Sequence, residues 1–363
     1  MGSSLKTTID WINCAKFMAI LAVLLDHSFG TLYTSERLIW ASRYSVSLFI
    51  IISGFLSYRS NRKHKFSYYE TVIHSLKNIV LTYIIAVLIY QIVIYKSFDL
   101  VVFINSLIRF NLSGPFYYVL IYINLMLINK LLYNLISFNS KMVIVKDTII
   151  GYFIILVAYI TTNYSNVLNV YGGGGKLFGG TFLFLYYLGM MFEKYKIFEK
   201  TNLVKCLVSM NIGGTFYICC WNFACNNGLA LDGLIKNFGG FNPPGITLMI
   251  LSISMIFFCY GAFNLLDRIK QLSFVVRFLS WLGSHTLYIF LFHALWLIYF
   301  LRPYVVISNV YIKFIVYFVV MIAGSMFIEY VINCICKIYR NVYKSQIIQI
   351  RTNNSGRDCE FIN

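Results

Sequence analysis

The chain has 363 residues, 59% of them hydrophobic and only 12% charged, with a formal net charge of +17 and a mean hydropathy of +0.73. A soluble domain is roughly 45–50% apolar and about 25% charged, and no larger core closes that gap, because a surface facing water needs charge whereas lipid accepts apolar side chains all round a helix. The basic residues lie between hydrophobic stretches and form no separate module, which argues against nucleic acid as a partner and fits the cytoplasmic loops of a membrane protein.

Ten apolar runs approach the length of about 20 residues that a spanning helix needs. The first, Ile9–Phe29, is too long for a signal-peptide core and has no small-residue cleavage site, so it reads as a retained helix. It carries Lys16, Asp26 and His27. Lys16 and His27 are eleven positions apart, which returns to within roughly 20° of the same helical face and separates them by about 16 Å along the axis. A lone histidine at a helix end often only marks the interface; an in-phase lysine on the same helix argues for more, because a central charge is disfavoured by about 2.5–3.5 kcal/mol on insertion scales. Asp26 points about 100° away from His27, so it faces another helix or the headgroups.

The second run, Leu38–Tyr58, has Arg43 near one end and closes on Ser53-Gly54-Phe55-Leu56. Just beyond it, Arg59 and Arg62 would be neighbours on a continuing helix, and a pair of guanidinium forks suits a phosphorylated ligand as well as it suits an ordinary basic loop. The third run is Thr71–Tyr95. The segment 96–114 after it holds apolar stretches, Leu100–Ile104 and Leu107–Ile108, suited to the membrane interface. The fourth run is Pro115–Ile136, and the fifth and sixth, Thr148–Asn163 and Leu177–Phe192, are short. Between them, Gly172–Gly175 reads as a flexible turn or as a gate over a cavity. Val204–Asn222 and Gly245–Asn264 follow, then Leu279–Leu301, with His293 near its middle, and Tyr311–Ile335, with Glu329 toward its far end.

Loop charge sets the orientation. One set of segments holds Lys6, the Arg59–Lys65 cluster, Lys141 and Lys146, Lys194–Lys205, Arg268–Arg277 and Lys337–Arg351. The alternate set holds about one basic residue each: Arg37, Lys96, Arg109, Lys176, Lys236 and Arg302. The expectation is an all-α polytopic bundle of about ten transmembrane helices with both termini cytoplasmic, made of a membrane domain over 1–336 and a short basic tail over 337–363. The nine cysteines are scattered, with no C-x-x-C and no metal-ligand spacing, so no metal is expected and most thiols act as small hydrophobes.

These motifs resemble membrane-bound acyltransferase family 3, whose members acylate sugars and other acceptors at the cell envelope. The resemblance covers Ile9 to about Ile335. It rests on a basic residue, ten residues and a histidine (Lys16, His27); on Phe49-Ile-Ile-Ile-Ser53-Gly54-Phe55-Leu56; on Arg59-x-x-Arg62; and on Leu282-Gly283-Ser-His-Thr286-Leu287-Tyr288 leading to His293. The family often has arginine where this chain has Lys16. The resemblance implies acetyl-CoA or another acyl-CoA as a cytoplasmic co-substrate, no permanently bound cofactor, His27 as catalytic base with Lys16 assisting, and Arg59 and Arg62 near the coenzyme. Asp26, Arg43, Ser53, His293 and Glu329 are supporting candidates. Some members carry an extracellular esterase-like domain after the last helix; only about 28 residues follow Ile335 here, so none is expected.

On this reading the partners are acyl-CoA, membrane lipid and an envelope glycan or lipid-linked oligosaccharide, and self-association into a homo-oligomer is compatible with it. The expected location of the protein is a bacterial plasma membrane, and the expected product is an O-acylated surface or capsular polysaccharide or its lipid-linked precursor. A lipid-linked glycan flippase or transporter would also be polytopic and basic inside, and a polysaccharide polymerase would need larger outer loops than the segments of about 20 residues available here.

Overall fold

The computed structural model describes residues 2–64, 66–138, 142–165, 175–199 and 202–357, with side chains from Asp10 to Ile338. Lys65, Lys141, Lys200 and Gly172–Gly174 lie outside the described residues, and so do the side chains of Lys6, Arg340, Lys344 and Arg351. The described residues are helical or irregular, with only two isolated bridges, Phe29 to Tyr33 and Gly240 to Pro244.

In chain order the helices are α1 (Gly2–His27), α2 (Glu36–Ser42), α3 (Ser45–Lys63), α4 (Tyr68–Tyr95), α5 (Leu100–Arg109), α6 (Tyr117–Ser137) and α7 (Val143–Tyr164). They continue with α8 (Phe182–Lys194), α9 (Leu203–Asn227), α10 (Ile246–Arg268), α11 (Ser273–Ser284), α12 (Thr286–Leu295), the single turn α13 (Arg302–Tyr304) and α14 (Val310–Arg357). Local chemistry fixes several starts. Ser67 and Glu70 form a capping box on α4, Asp99 caps α5 through the amides of Val101 and Val102, and Asn202 caps α9 through the Lys205 amide.

Among the described residues, eight helical stretches are long and apolar enough to cross a membrane, and each coincides with one of the ten predicted runs. The other two runs are α1, whose membrane portion carries Asp10, Lys16 and Asp26, and α8. At 13 residues, α8 is about 20 Å long, short of a hydrocarbon core of about 30 Å. Several predicted boundaries change, and the second run is split between α2 and α3 at Arg43 and Tyr44. The fifth run extends to the 22 residues of α7, and the sixth shrinks to α8 because Leu177–Gly179 forms a separate 3-10 turn. The ninth is broken at His285, which separates α11 from α12. The region predicted as a tail begins as a continuation of α14 through Arg357.

The bundle has a packed centre and an apolar outside. Trp11, Ala15, Ile20 and Leu24 of α1 are fully buried, as are Leu48 and Ile50 of α3 and Leu185 and Tyr186 of α8. Helices α7, α9 and α14 instead expose Ile149, Phe153, Ile212, Phe216, Ile315 and Phe327. Large apolar side chains turned outward on several long helices are suited to lipid, not water. Helix α5 exposes Leu100, Val101, Ile104 and Ile108 while Ser106 is buried near the Tyr83 hydroxyl, the pattern of an interfacial helix. Contact between α3 and α8 requires glycine on both sides. A Cβ at Gly54 would collide with the Tyr186 carbonyl, and one at Gly189 with the Ile51 carbonyl.

A candidate active site between two cavities

Two cavities are cut into the polar interior. The first, about 370 Å³, is walled by Lys16 of α1, by Ser53, Ser57, Ser60 and Asn61 of α3, by Thr71, His74, Ser75 and Asn78 of α4, by Tyr118, Tyr122 and Asn129 of α6, and by Thr286 and Phe290 of α12. The second, about 350 Å³, is walled by Val23, Asp26 and His27 of α1, by Arg43, by Ser45 and Ser47 of α3, by Tyr117, Asn242 and, again, Phe290. The predicted Lys16–His27 face of α1 thus looks into the bundle, with one residue in each cavity.

Lys16 is weakly engaged. Its Nζ donates to Asn13 Oδ1 at 3.4 Å, while the Asn13 amide reaches Ser280 Oγ at 3.5 Å and that hydroxyl donates to Asp10 Oδ1 at 2.8 Å. Among the described residues no carboxylate forms an ion pair with Lys16. An ammonium group on a cavity wall with one long hydrogen bond retains donors for a polar or anionic ligand.

His27 packs against His293, with ring centroids 5.0 Å apart and planes tilted by 49°. His293 is fully buried. Its Nδ1 lies 2.8 Å from the Phe290 carbonyl oxygen and 3.1 Å from that of Ile289; carbonyls only accept, so this nitrogen carries the proton and donates. Its Nε2 is therefore an acceptor, buried with no hydrogen-bond partner among the described residues, and can take a hydrogen bond from a donor beside it. Directly after α12 the chain makes a π-helical segment, Trp296–Leu301, an irregularity frequent at functional sites.

Asp26 and Arg43 share the His27 cavity without pairing. The Arg43 guanidinium sits 3.9 Å from the centroid of the Phe241 ring and 5.4 Å from that of Trp40, held by cation–π attraction, and its Nε is buried without a partner. Ser53 lines the Lys16 cavity and donates to the Phe49 carbonyl at 2.8 Å.

The arginine pair is placed differently from its neighbours. Ser60 and Asn61 wall the Lys16 cavity, whereas Arg59 and Arg62 do not. Three residues of helix separate the two arginines by about 60° and turn both away from the intervening positions. Arg62 Nη2 is 2.6 Å from Oε1 of Glu193, whose side chain is 8% exposed against 40% for Arg62. Replacing Arg62 with alanine strands that carboxylate, so part of any loss of activity will be structural. We expect Arg62→Ala to destabilise the protein by about 1 kcal/mol, given the exposed guanidinium, and Glu193→Gln to restore much of it. A double-mutant cycle on the thermal midpoint in detergent checks this, and additive single effects would exclude the coupling.

Glu329 has a partner absent from the sequence reading: its Oε2 is 2.7 Å from Nδ1 of His285. The pair ties α14 to the α11–α12 break, next to Thr286 on the cavity wall. Sequence reasoning also missed the polar face of α4, although Thr71, His74, Ser75 and Asn78 fall at helical spacing. It missed the buried amide pair Asn61–Asn129 at 3.0 Å as well, whose partners are far apart in the chain.

Helices and cavities together define an integral membrane protein built around two polar cavities. The chain belongs to acyltransferase family 3: the family's acyltransferase domain matches residues 9–334, nearly the whole length. It is therefore a membrane acyltransferase. No curated protein and no solved structure matches it.

Proposed function

We propose that the enzyme moves an acyl group, acetyl being the expected one, from cytoplasmic acyl-CoA to a hydroxyl of a bacterial envelope glycan or its lipid-linked precursor. The observation that carries this reading is the placement of Lys16 and His27 in separate cavities that meet at Phe290. In the proposed topology α1 and α8 complete ten crossings, both termini are cytoplasmic, the Lys16 cavity opens inward and the His27 cavity opens outward.

The donor arm would lie along the Lys16 cavity. Lys16 would donate to its carbonyl or phosphate oxygens, with the Asn61, Asn129 and His74 side chains along the same walls and Arg59 and Arg62 at the cytoplasmic end of α3. The distance of about 16 Å along α1 favours a donor-holding role for Lys16 over a role at the reacting carbon. In the other cavity, Asp26, Asn242 and the braced Arg43 would orient a polyhydroxylated acceptor.

Transfer is then a single exchange. His27 takes the proton of the acceptor hydroxyl as its oxygen attacks the thioester carbonyl carbon. The new C–O bond forms, the C–S bond breaks, and the proton passes to the departing coenzyme A thiolate. His293 would accept a hydrogen bond through Nε2 and so help fix the orientation of the neighbouring imidazole.

The test compares envelope glycan from cells with and without the gene. Loss of a base-labile O-acyl ester is expected; identical ester content would overturn the acceptor assignment. Calorimetric titration of the purified protein with acetyl-CoA separates this reading from a flippase, which would show no binding heat.

A further inference from the structure

The lining passes from one cavity to the other along four helices. On α1 the boundary falls between Lys16 and Val23, on α3 between Ser47 and Phe49, on α6 between Tyr117 and Tyr118, and on α12 at Phe290 itself, which faces both sides. Three buried aromatic rings meet at that boundary. The Phe290 centroid is 4.8 Å from that of Tyr118 and 6.2 Å from that of Phe49, and Phe49 and Tyr118 are 6.2 Å apart. Phe290 also touches the histidine pair: its ring centroid is 6.1 Å from that of His293, and its carbonyl accepts the His293 Nδ1 hydrogen bond.

From this geometry, and resting on the donor reading above, we infer that Phe290, with Phe49 and Tyr118, forms a partition that sets the acyl-chain length the enzyme accepts. The thioester carbonyl must cross the plane of these rings to come within reach of His27, and the acyl group leads the way. A two-carbon group needs only a small displacement of the Phe290 ring; each added methylene must be housed among the three buried rings or beside the fully buried His293. Discrimination at such a wall is about 10–200-fold per methylene. Phe49 and Phe290 meet edge to face and Tyr118 is tilted against both; such rings seal in one rotamer and open in another without moving the backbone.

The experiment measures coenzyme A thiol release by membranes carrying the full chain, with acetyl-CoA, butyryl-CoA and hexanoyl-CoA as donors and membranes carrying His27→Ala as the blank. Wild type is expected to favour acetyl-CoA. Phe290→Ala is expected to raise the butyryl-to-acetyl rate ratio by at least about tenfold, and Phe290→Leu, a milder change that keeps much of the packing, to raise it by less. An unchanged ratio in both variants, with acetyl-CoA still consumed above the blank, overturns the partition and leaves the donor reading standing. No release by wild type above the blank from any of the three donors overturns the donor reading, and the partition with it.

Discussion

His27→Ala is expected to lower ester formation by about 10²–10⁴-fold, the usual effect of removing a positioned general base, while the protein still inserts and elutes as a single species. The imidazole is half-buried on a cavity wall beside a second histidine. Truncating it deletes a proton acceptor without cutting a helix contact of the Gly54–Gly189 kind, so loss of fold is not the expected cause of loss of rate. The measurement is O-acyl content of the glycan alongside membrane-inserted protein. Normal acylation by His27→Ala would remove the residue from the chemistry.

Lys16→Met should act on the donor and leave the acceptor alone. Among the described residues Lys16 has one long hydrogen bond and no ion pair, so the expected loss is in ligand contacts and not in a structural bridge. A hydrogen bond to a charged group contributes about 1.5–3 kcal/mol, which corresponds to a rise of about 10–150-fold in the KM for acetyl-CoA. Lys16→Arg keeps the charge and is expected to retain most of the affinity. Steady-state kinetics at varied acetyl-CoA decides. An unaltered KM in Lys16→Met with a collapsed kcat would move Lys16 from donor binding to the chemical step.

Much of the scaffold was readable because lipid imposes a coarse rule. About 20 apolar residues make a span, and eight runs obeyed it. The rule fails at α8, whose predicted run included the separate Leu177–Gly179 turn, and at His285, where a break hides inside an apolar stretch. The relation of Lys16 to His27 was legible for a similar reason: eleven residues is nearly a whole number of helical turns, and charge in lipid is conspicuous.

The partners of those residues were not legible. Glu193 is 131 positions from Arg62, and His285 is 44 from Glu329; no periodicity joins them. Asp26 lies about 100° from His27 around α1, yet one cavity is wide enough to be walled by both side chains. The meeting of Phe290, Phe49 and Tyr118 was invisible, although Phe49 opens a motif, because an aromatic residue in a membrane helix does not announce its neighbours.

The three-ring level has a consequence unrelated to ester chemistry. Reagents that arrive from opposite faces of a bilayer tempt evolution toward an open bore, and an open bore passes protons and sodium. In the proposed topology, an apolar septum between the two cavities would let the enzyme draw on both faces while the cell keeps its ion gradients.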